Sequence, residues 1–84
     1  MQVTTDTYTD SIAGAVRAEL ARSRKRYIDI APVLHVSRAT AYRRINGSEP
    51  FDVAELEKVA AFLDISVQDI FDSAEYARQR VVAA

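Results

Sequence analysis

Apolar residues first recur with a helical period after Asp10, where Ile12, Val16 and Leu20 stand four apart with Ala13 and Ala15 beside them. That run ends in the basic cluster Arg22–Arg26, and Ile30, Val33 and Leu34 mark a second, short helix. Ser37 follows apolar Val36 where an N-cap belongs and opens a third helix, Arg38 to Ile45. Asn46-Gly47-Ser48 stops it, because glycine is favoured just past a helix end. For the fourth helix Asp52 can cap with Glu55 three residues on, and Phe51 can staple to Leu56 across the first turn. Leu56, Val59, Ala60 and Leu63 form its stripe. Ser66, Asp69 and the pair Ile65 and Ile70 repeat this grammar for a fifth short helix ending near Phe71. Ser73 is placed to cap a short sixth helix through Tyr76 to Val82, whose apolar face is thin. No apolar/polar alternation flanked by turn residues occurs, so the pattern predicts an all-α, compact five-helix domain with that sixth helix as an option.

Met1 to about Thr9 is polar and has no apolar period, which predicts a flexible arm over 1–9, a helical domain over 10–72 and a tail or short helix over 73–84. Eighty-four residues suit a single core, which at this size has little stability to spare. No run approaches the roughly 18 apolar residues of a membrane span, and no secretory pattern opens the chain, so a cytoplasmic protein is expected. With no cysteine and one histidine, His35, no metal site and no cofactor are expected. His35 has no suitably spaced Ser or Asp partner, and the carboxylates of Glu55, Glu57, Asp64, Asp69 and Asp72 read as caps and solvated faces. Enzymatic function is therefore not expected.

Charge changes the picture once it is divided along the chain. Arg22–Ser48 holds seven cations and one anion, Asp29, for a net +6. The remainder holds four cations and eleven anions, for −7, and the whole carries −1. A segregated basic segment presents a local field to a polyanion even when the net charge is near zero.

That basic segment is also the one with the sharpest pattern, Tyr27-Ile28-Asp29-Ile30-Ala31-Pro32-Val33-Leu34-His35-Val36-Ser37-Arg38-Ala39-Thr40-Ala41-Tyr42-Arg43-Arg44-Ile45-Asn46-Gly47. Two short helices crossing closely at a tight turn need a small residue on the first, supplied by Ala31, and an apolar plug in the turn, supplied by Val36. Ala41 and Ile45 then face inward, leaving Arg38, Ala39, Thr40, Tyr42 and Arg43 outward with the donors that base edges and phosphates require. From Ile12 to Phe71 the chain resembles the helix-turn-helix DNA-binding regulators of the phage repressor and Cro type and their small bacterial relatives. The resemblance rests on Ala31, the Val36-Ser37-Arg38 lead-in, the Asn46-Gly47 exit and the Leu63-Asp64-Ile65-Ser66 link.

The chain departs from that pattern at four places. His35 stands in the turn, and Asp64 in the later link, where the family commonly has glycine; the turn position favours a positive φ. Pro32 falls inside the first motif helix, but with Asp29 as N-cap it takes the third helical position, where a missing N–H costs nothing. This helix is therefore expected to start late or kink. Arg44 stands at an often apolar position, with Ile45 taking the inward role.

The resemblance implies a sequence-specific, double-stranded DNA-binding transcriptional regulator, most naturally a phage or prophage Cro or immunity repressor. It makes Arg38, Ala39 and Arg43 the base readers. It makes Lys25, Arg26, Tyr27, Ser37, Thr40, Tyr42, Arg44, Asn46 and Ser48 the phosphate and positioning contacts. Several have a second reading: Arg44 as an intramolecular pair, Tyr42 as a cover for the core edge, Arg24 and Arg26 as free surface charges, His35 as a plain turn residue. Six neutralised phosphates would give a salt slope near −5. The family usually dimerises on half-sites about 10 base pairs apart, which makes a homodimer through Val67, Ile70 and Phe71 or through Tyr76, Val81 and Val82 an expectation. Ile70 and Phe71 can equally close the monomer core. An antitoxin or a protein-interaction module on the same fold is the alternative, with 73–84 as its candidate segment for an unknown protein partner.

Overall fold

A computed structural model describes residues 7–83, with the side chains of 7–79. The elements are α1 (Tyr8–Arg22), a 3₁₀ turn (Tyr27–Asp29), α2 (Ile30–Leu34), α3 (Arg38–Asn46), α4 (Val53–Leu63) and α5 (Val67–Ala83). The described residues contain no strand, as the absence of alternation requires.

Helix α1 begins earlier than its apolar stripe. The Thr7 hydroxyl accepts the Asp10 N–H at 3.2 Å, an N-cap that draws Tyr8 and Thr9 out of the expected arm and into the helix. The rest of that arm, residues 1–6, lies outside the described residues. Ile12, Ala15, Val16 and Leu20 are buried from α1. As Pro32 demands, α2 starts late: the 3₁₀ turn leads into Ile30, and exposed Pro32 occupies the third helical position. On α4 the Asp52 carboxylate accepts the Glu55 N–H at 2.7 Å while Glu55 accepts the Asp52 N–H at 3.0 Å.

The expected short fifth and sixth helices are one. Ser66 caps it, with the Ser66 and Asp69 side chains each accepting the other's backbone N–H at 2.9–3.0 Å. Ser73 caps nothing and lies half-buried within α5. The helix runs on because the apolar stripe does. Ala74 follows fully buried Ile70 by one turn and is itself sealed from solvent. Helix α1 supplies the other side. Tyr8 meets Phe71 edge-to-face at 6.5 Å, and Arg78 lies 5.1 Å over the Tyr8 ring.

Three helices end in the same device. After α1, α2 and α4 a residue with φ near +59° closes the last turn, and the next amide bonds back to a carbonyl five residues earlier: Lys25 to Leu20, Val36 to Ala31, Ile65 to Ala60. The left-handed residues are Arg24, His35 and Asp64, none of them glycine. His35 thus has the positive φ that its turn position calls for. Gly47 ends α3 with φ +88°, and a Cβ there would lie 2.9 Å from the Asp10 Oδ1 on α1. Gly47→Ala is expected to cost about 1–2 kcal/mol, the left-handed penalty of an L-residue, measured as a lower urea midpoint. An unchanged midpoint would show that α1 and the α3 exit yield freely.

Candidate nucleic-acid interface

Helix α3 is short and has two faces. Ala41 and Ile45 are buried against the core, and half-buried Val36 plugs the turn before them. Arg38, Ala39, Tyr42, Arg43 and Asn46 are exposed. The helix is fixed at both ends. Ser37 Oγ accepts the Thr40 N–H at 3.1 Å, and Arg17 on α1 donates to the Ile45 carbonyl at 2.6 Å. Gly47 then admits the close approach of α1.

Around this face the fold gathers residues from the start of the motif. Tyr27 on the 3₁₀ turn meets Tyr42 edge-to-face, 5.6 Å between ring centres, so the two tyrosines form one exposed aromatic pair. Lys25 and Arg38 line one open groove floored by Ala31, Pro32 and Phe62, with the Lys25 ammonium 5.1 Å over the Phe62 ring. The groove thus carries two cations and an apolar floor, together with the carboxylate of Asp29, which Arg26 offsets. Arg26 pairs at 4.0 Å with Asp29, which itself accepts the Arg26 N–H at 2.8 Å. Asn46 Oδ1 accepts the Ser48 N–H at 2.8 Å, tightening the turn after α3.

A polar ladder runs along α3. The Ser37 hydroxyl donates to Thr40 Oγ1 at 3.1 Å, and Arg43 Nη2 donates to the same oxygen at 3.1 Å. Arg43 Nε donates to Glu49 Oε2 at 3.0 Å. Arg44 is placed apart from the exposed face. Its Nε and Nη2 donate to the two Glu55 oxygens at 3.0 and 3.3 Å, and its Nη1 bonds Glu49. The Arg44 and Glu55 side chains are 19% and 12% exposed, so its second reading as an intramolecular pair describes what the structure holds. The bonded Glu55 carboxylate raises the Arg44 guanidinium above its ordinary value, and Arg44 stays charged at every accessible pH.

Two residues of this site escaped sequence reasoning. Glu49 lies outside the basic segment, and its spacing from Arg43 and Arg44 is not a helical one; only the reversal at Gly47 brings it back beside them. Arg17 acts across 28 residues and leaves no local signal. Among the described residues no His, Cys, Asp or Glu group is arranged to hold a metal ion, and no helix is long and apolar enough to cross a membrane.

Two short helices at a tight turn, with a cationic and aromatic face on the second and small residues at their crossing, define a helix-turn-helix DNA-binding domain. The chain belongs to the BetR domain family, which matches residues 8–80 and is of this DNA-binding kind. No curated protein and no solved structure matches it at a significant level.

Proposed function

We propose that this domain binds a specific double-stranded DNA sequence with α3 in the major groove and represses transcription, as a phage or prophage Cro or immunity repressor does. The supporting observation is the exposed face of α3, which carries Arg38, Ala39, Tyr42 and Arg43 beside Lys25 and Tyr27 while Ala41 and Ile45 are buried behind it. Arg38 and Arg43 are the guanine readers, and Ala39 meets a thymine methyl. Lys25, Tyr27, Tyr42 and Thr40 set register on the backbone. Arg44 shapes the end of α3 from behind. The role is binding rather than catalysis, exercised in the cytoplasm. A homodimer doubles the few base pairs that one short helix reads.

Selection from a random duplex pool near physiological salt tests the reading, with a two-fold-symmetric motif as the expected result. An asymmetric motif would keep the regulator and remove the dimer; no enrichment would remove sequence reading. On the selected duplex Arg43→Ala is expected to lose about 1–3 kcal/mol of preference at one base pair, while Lys25→Ala weakens all sequences alike and flattens the salt slope by about 1. Equal losses across all sequences for both variants would refute the division of roles.

A further inference from the structure

We propose that Glu49 is the positioning residue of Arg43, holding its guanidinium so that one edge only faces the DNA; this rests on the DNA-reading role proposed above. Arg43 is exposed and sits near the end of α3, where a long side chain would otherwise sample many rotamers. Two of its five N–H groups are occupied: Nε by Glu49 Oε2 at 3.0 Å and one Nη2 hydrogen by Thr40 Oγ1 at 3.1 Å. Those bonds take the inner side of the guanidinium. The outer edge, one hydrogen of Nη1 beside the second hydrogen of Nη2, is the fork that spans guanine O6 and N7.

Glu49 can hold this orientation because it is itself held. Its other oxygen bonds Arg44, and Arg44 is clamped by both oxygens of buried Glu55, which also closes the cap of α4. The Glu49 N–H donates to the Arg43 carbonyl at 3.2 Å, so backbone and side chain both fasten it to α3. Arg43, Arg44, Glu49 and Glu55 together carry no net charge. Glu49 therefore removes one unit of attraction for phosphate and returns orientation in its place. That combination predicts a particular signature when it is lost: tighter general binding and poorer discrimination.

The test is binding of the full chain and its Glu49→Ala and Glu49→Gln variants to the selected duplex and to each single-base change of it, with thermal unfolding of each protein. Glu49→Ala is expected to lose about two- to tenfold of discrimination at the base pair that Arg43→Ala affects, from the restored side-chain freedom. Other positions keep their preference, and binding to unrelated duplex is equal or tighter. Glu49→Gln, which retains an acceptor, recovers part of the lost discrimination. Added to Arg43→Ala, the Glu49→Ala change is expected to alter the base profile no further. A uniform gain in affinity with an unchanged profile would make Glu49 a mere counter-charge, and a uniform loss with a lowered melting temperature would make it a loop anchor; either overturns the proposal. A wild-type protein with no sequence preference would overturn the DNA-reading role itself, and the inference with it.

Discussion

Arg44→Met is expected to lower the unfolding free energy by about 2–3 kcal/mol, somewhat below the usual cost of breaking a buried pair because this one keeps some contact with water. For a domain of this size that is roughly 10–20 °C in melting temperature. Methionine keeps most of the apolar stem, so the loss isolates the charge. Without Arg44 the Glu55 carboxylate, 12% exposed and pinned by the Asp52 N–H, loses the cation it pairs with. Adding Glu55→Gln to Arg44→Met is expected to recover much of the loss, since glutamine still accepts that N–H and buries no charge. Calorimetry of the two variants decides it. A cost under about 0.5 kcal/mol for Arg44→Met would place the pair with exposed ion pairs, which contribute little.

Ile70→Ala is expected to cost about 3 kcal/mol, within the range for truncating a buried isoleucine. Ile70 is sealed from solvent in the single chain, one turn before equally sealed Ala74. The cavity left between α5 and the rest of the core is filled only in part, because close-packed interiors relax incompletely. Val53→Ala, at a residue 67% exposed, serves as the contrast and is expected to change stability by under about 0.5 kcal/mol. Urea titration at several protein concentrations separates two uses of Ile70. A large loss independent of concentration assigns it to the monomer core. Retained stability with lost self-association would instead make it a contact between copies, the other use its sequence position allows.

The recognition face itself was open to sequence reasoning because its logic is local. Ala41 and Ile45 at spacing four fix which way α3 turns, and Ser37 and Gly47 fix where it starts and stops; the exposed residues follow from the helical period. The late start of α2 follows as directly from Pro32. The Thr7 cap was not read from the sequence: the apolar stripe starts only at Ile12, and the threonine three residues before Asp10 is a weak local signal. The continuity of α5 was not legible. Ser66 has Asp69 and the Ile65/Ile70 pair behind it and Ser73 has neither, but the thin apolar face after Phe71 hid the continuation, which the burial of Ala74 and the packing of Tyr8 against Phe71 and Arg78 reveal.

The partners of the arginines divide the two kinds of information most clearly. Sequence determined that Arg38, Arg43 and Arg44 lie on one short helix within a segment of charge +6, since helix and charge are properties of neighbouring residues. It counted Glu49 and Glu55 with the acidic remainder. The tertiary structure folds both back onto that helix: Glu49 through the left-handed turn at Gly47, Glu55 through the docking of α4's first turn. Arg44 is thereby half-buried in an ion pair, Arg43 is oriented, and Arg38 is left with Lys25 lining an open groove. Charge along the chain sets how many cations a segment offers. Which of them remain available to a polyanion depends on distances of a few ångströms between residues that no helical or strand period relates, and only the packed fold sets those.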